Sequence, residues 1–102
     1  MFKGIPNSES AEVSKGAVIM SLRQNSEDLS LLNKFLDVRE SEVQSSKEAL
    51  ILNIEIAEIY RDAGLVDAAY EAFLDARDQA IQEGDNDLAN ELDAEAVKLM
   101  LE

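Results

Sequence analysis

After Pro6 the chain contains no further proline, and its helix-forming stretches are interrupted only by short polar breaks and single glycines. Proline removes an amide donor and locks φ. Without it, segments rich in Ala, Leu, Ile and Glu have little to oppose helix formation. Between the breaks, apolar residues recur at helical spacing. The pattern predicts an all-α fold of about five helices, arranged as antiparallel helical hairpins. At 102 residues, one domain spanning 1–102 is expected. A chain this short folds with little stability to spare.

Residues 1–7 read as a loose lead-in, since Gly4 and Pro6 discourage regular structure. A first helix is predicted from about Ser8 or Ser10 to about Gln24, with Ala17, Val18, Met20 and Leu22 apolar and Gly16 weakening its middle. Asn25-Ser26-Glu27-Asp28 supplies a capping serine and two acids, a helix start. The second helix then carries Leu29, Leu32, Leu36 and Val43. Ser45-x-x-Glu48 matches a capping box and opens a third helix over about 46–63. One continuous helix from Glu27 to Ala63 is the competing reading.

The third helix is the most apolar. Leu52, Ile56, Ile59, Tyr60 and Ala63 follow one face, and Ile51 and Ile54 widen it, as in a helix buried between neighbours. Ile54-Glu55-Ile56 alternates locally as a strand would, but the length and alanine content favour helix. Gly64 supplies a left-handed stop. A fourth helix is predicted from Asp67 to about Glu83, with a core face of Ala69, Phe73, Ala76 and Ala80 and a second edge of Tyr70, Leu74 and Ile81. Gly84-Asp85-Asn86-Asp87 is a break with a cap. A fifth helix follows over about Asp87–Leu101, carrying Leu88, Leu92, Ala96, Leu99 and Met100.

Ile56-Ala57, Tyr60, Gly64, Ala69, Phe73 and Ala76 fall in the order and offsets of a tetratricopeptide repeat, which the stretch of roughly residues 50–85 resembles. Ala76-Arg77-x-x-Ala80-Ile81-x-x-Gly84-Asp85 resembles the longer variant of that repeat, whose second helix ends at Gly-Asp. Two positions depart from the pattern: Asn53 stands where a large aromatic often sits, and Ile81 where the short form often has proline. The flanking helices match poorly, although the fifth could serve as a solvating cap. An ordinary αα-hairpin would share much of this pattern. The resemblance implies tetratricopeptide-like packing in the C-terminal half and a groove for a peptide or helix. That groove would expose Ile54, Glu58 and Arg61. The basic and amide set that usually clamps a peptide carboxylate is not found.

The chemical inventory argues against catalysis. There is no Cys and no His, which excludes disulfides, thiolate chemistry and the commonest general base and metal ligand. Asp85-x-Asp87 begins like a calcium loop, but Ala89 and Ala96 stand where ligands belong. Paired carboxylates such as Asp75 and Asp78 have no nucleophile beside them and read as a solvated face. No enzyme activity, metal or cofactor is expected. No stretch approaches the ~20 apolar residues that span a bilayer. The short run Ala17–Met20 follows Glu9 and Glu12 and is no secretory signal, so a cytoplasmic protein is expected.

Formal net charge is −13. Residues 1–59 hold six Lys/Arg and ten Asp/Glu, while residues 60–102 hold three and twelve. Such a surface repels phosphate backbones and anionic membranes and favours encounter with a basic protein. Asp67, Glu71, Asp75 and Asp78 form an acidic stripe along the fourth helix, with Arg77 assigned to a different face. The expected function is a non-enzymatic protein–protein interaction module, an adaptor, small chaperone or assembly subunit. It would use either the groove or the stripe, and its partner would be basic or present an apolar helix or peptide. The alternative is an acidic inhibitor that mimics nucleic-acid charge and blocks a basic DNA-binding protein. A further reading is an obligate oligomer whose helices complete each other's core.

Overall fold

The structure is a computed structural model and describes residues 13–101. Among these residues every regular element is helical: α1 (Lys15–Gln24), α2 (Ser30–Glu42), α3 (Ser46–Asp62), α4 (Val66–Gln82) and α5 (Asn86–Leu101). No helix is long and apolar enough to cross a membrane. Two compact units divide at Glu42/Val43. The stretch 27–63 is therefore two helices, separated at Val43–Ser45.

In the first unit α1 packs on α2, with Val18, Leu22, Leu32 and Phe35 buried. Helix α1 begins at Lys15, later than the predicted start at Ser8 or Ser10, which lies outside the described residues. The reason is Ser14, whose hydroxyl accepts from the Ala17 amide at 3.1 Å. Gly16 thus sits in the first turn, not mid-helix, where its flexibility does less harm. The start of α2 also differs from expectation. The capping carboxylate is Asp28, not Ser26: its Oδ1 accepts from the Ser30 amide at 3.2 Å and the Ser30 hydroxyl at 2.7 Å.

The second unit is a chain of two hairpins, α3–α4 and α4–α5. Ser45 opens α3, accepting from the Glu48 amide at 3.1 Å. Glu48 reaches back to the Gln44 amide at 2.7 Å, one residue before the cap itself. The two turns are built alike. Gly64 (φ 84°) and Gly84 (φ 80°) are left-handed. Leu65 N–H donates to Tyr60 and Gly64 N–H to Arg61. In the second turn Asp85 donates to Ala80 and Gly84 to Ile81. Both are Schellman turns, which satisfy the carbonyls that a helix end leaves orphaned. Asp85 then caps α5, accepting from the Leu88 amide at 3.1 Å.

One core joins α3, α4 and α5: Leu50, Ala57, Ala69, Phe73, Ala76, Ala80, Ala89, Leu92, Ala96 and Leu99. Six of these ten are alanines, so the helices meet largely over methyl groups and can approach closely. The face expected of α4, from Ala69 to Ala80, is the buried one. Some predicted apolar positions are instead exposed, namely Met20, Leu29, Ile51, Ile81 and Met100.

Candidate functional site

Position on α3 decides which side chains line a surface. Ile54, Glu58 and Arg61, three and four residues apart, stand on one side of the helix. Across from them α5 contributes Leu88, Glu91, Glu95 and Lys98 at the same kind of spacing, with Phe73 and Leu92 beneath. Together these residues line an open groove of about 420 Å³. The structure thus brings Ile54, Glu58 and Arg61 together, and adds a second wall.

The charges in this groove are largely arranged against one another. Arg61 Nη1 lies 3.1 Å from Glu95 Oε1, and Lys98 Nζ lies 3.3 Å from Glu95 Oε2. Arg61 also donates from Nε to Asp62 at 3.0 Å, and its guanidinium stands 5.9 Å from the centroid of the Phe73 ring. The hydrogen bond to Asp62, with the nearby charges of Asp62, Glu95 and Glu58, holds the guanidinium pKa above its ordinary value despite partial burial. Arg61 is therefore a strut between α3 and α5 as well as part of the groove wall.

The acidic stripe lies elsewhere. Asp67, Glu71, Asp75 and Asp78 are all exposed along α4. Arg77 leaves α4 on a different face, yet its guanidinium reaches the stripe: its Nη2 lies 3.0 Å from Asp78 Oδ1, and its Nη1 2.9 Å from Asp93 on α5. Both carboxylates, Asp93 first, raise the Arg77 pKa. Adjacent helical residues point about 100° apart, but the arginine stem is long enough to fold back over that angle.

Two members of the stripe, Glu71 and Asp75, edge a second cavity of about 380 Å³ whose remaining lining is Asn53, Ile56, Tyr60, Ala68 and Ala72. It shares no residue with the groove. Asn53 here donates from Nδ2 to Gln79 Oε1, so a polar tie between α3 and α4 occupies the position where the resemblance would place an aromatic. A third cavity, about 430 Å³, belongs to the first unit and is lined by Val13, Ser14, Lys15, Phe35, Val38, Arg39 and Glu42.

Sequence reasoning missed the α5 wall and the second cavity's floor. The spacing of Leu88, Glu91, Glu95 and Lys98 was a usable signal for the first. Among the described residues no group of three or more His, Cys, Asp or Glu is placed to hold a metal ion. No family model, curated protein or solved structure matches the chain.

Proposed function

We propose that this protein is a non-enzymatic protein-interaction module, with tetratricopeptide-like packing in its C-terminal half, that seats a partner peptide or helix in the α3–α5 groove. The observation that supports it most is the convergence of Ile54, Glu58 and Arg61 with Leu88 and Glu91 around one open recess. Apolar side chains there offer anchoring surface, and the flanking charges offer orientation. The ion pair of Arg61 with Glu95 ties the α3 wall to the α5 wall before a ligand arrives, which lowers the ordering cost of binding.

The inhibitor reading draws on the four-acid stripe, and Arg77 offsets one of those acids. That favours the interaction module.

The test is selection of displayed peptides on the intact protein, followed by titration of the recovered peptides against Ile54→Ala and Glu58→Ala variants. Loss of about tenfold in affinity for Ile54→Ala is expected, the size of a modest interface hot spot. Recovered peptides that bind both variants as tightly as the parent would remove the groove from the reading.

A further inference from the structure

The second cavity differs from the groove in a way that bears on its ligand: its lining includes acids and no base. Besides the acids it is lined by Ile56, Tyr60, Ala68 and Ala72, with Asn53 the one amide among them. Glu71 and Asp75 stand exposed at its edge, one helical turn apart, and Asp67 continues the row a turn earlier. None of the three takes part in an ion pair among the described residues. In the groove, by contrast, Arg61 and Lys98 face Glu95.

We propose that this α3–α4 cavity is a second docking site, for a basic amphipathic helix of another protein. One aliphatic or aromatic side chain of that helix enters the recess beside Tyr60 and Ala72, losing its contact with water. Lys or Arg residues at i, i+4 repeat at about the 6 Å interval that separates Glu71 from Asp75, and so reach both carboxylates. Charge complementarity selects the occupant. A second copy of this chain is the wrong partner, because at net charge −13 it repels the acidic edge. Polyanions are excluded on the same ground. The proposal rests on the interaction-module reading but concerns a different surface from the groove.

The experiment titrates the isotope-labelled full chain with a model Leu/Lys amphipathic helical peptide and, separately, with a Leu/Glu peptide of the same apolar pattern. Amide shifts read out where each binds, at low and at physiological salt. The Leu/Lys peptide should perturb Ile56, Tyr60, Glu71, Ala72 and Asp75, and the Leu/Glu peptide should not. Glu71→Gln/Asp75→Asn should weaken low-salt binding about three- to tenfold, an effect that shrinks as salt rises. Glu40→Gln, exposed on α2 and in the lining of none of the three cavities, should leave it unchanged. Shifts centred on Ile54, Leu88 and Glu91, with Glu71→Gln/Asp75→Asn behaving as wild type, would overturn this site while leaving the module reading standing. Equal binding of the Leu/Glu peptide, or no saturable shift anywhere, would overturn it too.

Discussion

Glycines 16, 64 and 84 look alike in the sequence and differ in what the backbone asks of them. A β-carbon placed on any of the three meets no heavy atom within 4 Å, so space does not distinguish them. Conformation does. Gly64 and Gly84 hold positive φ, where a side chain is strained, whereas Gly16 lies in the first turn of α1. Gly64→Ala and Gly84→Ala should each destabilise by about 1 kcal/mol, and Gly16→Ala should stabilise by about 0.5–1 kcal/mol. Urea denaturation of the three variants checks both signs. Asp28 carries a second residue-level prediction. The Ser30 hydroxyl and then the Ser30 amide donate to its carboxylate and hold its pKa below the usual value. A depressed carboxyl pKa contributes stability above the unfolded value, about 3.9, and that contribution is lost as pH falls through the lower folded value. The start of α2 should therefore loosen in acid, seen as loss of Ser30 amide protection below about pH 4. Asp28→Asn should remove that pH dependence.

Among the helices, α4 was the most legible. Ala69, Phe73, Ala76 and Ala80 follow the helical period without a competing apolar face, and those four are the residues buried. The start of α1 was not legible, because Ser8, Ser10 and Ser14 are all competent caps and composition does not rank them. Nor was the pairing of Arg77 with Asp78, which depends on how a flexible stem folds over the helix. The hairpin crossings give the element-scale test. Ala69 is fully buried between helices, so Ala69→Leu should cost about 1–3 kcal/mol by overpacking, although it adds apolar area. Leu101→Ala, at a residue 81% exposed, should be nearly neutral. If Ala69→Leu melts at or above the parent Tm, the close crossing is wrong. Arg61→Ala should lose about 1 kcal/mol, combining a screened ion pair to Glu95 with the contact over Phe73.

Across the whole molecule, charge sets the behaviour. At −13 on 102 residues, mutual repulsion opposes compactness and salt relieves it. Thermal stability should therefore rise between low and moderate sodium chloride, and a flat profile would mean that local pairs such as Arg77 with Asp78 and Asp93 already balance it. The acidity was plain from composition, and it was the resemblance to a tetratricopeptide repeat that singled out Ile54, Glu58 and Arg61. The surfaces they belong to could not, because each cavity needs a wall from another helix, and no local pattern states which helix will face which. The alanine crossings carry a last consequence, for how this sequence can drift. At Ala57, Ala69, Ala76, Ala80 and Ala96, none of which has any solvent exposure, nearly every replacement adds volume. Saturation mutagenesis should therefore find its least permissive positions at these smallest side chains. The larger apolar residues at the margins, such as Ile81 and Met100, should accept wide variation, inverting the profile of a leucine-filled bundle.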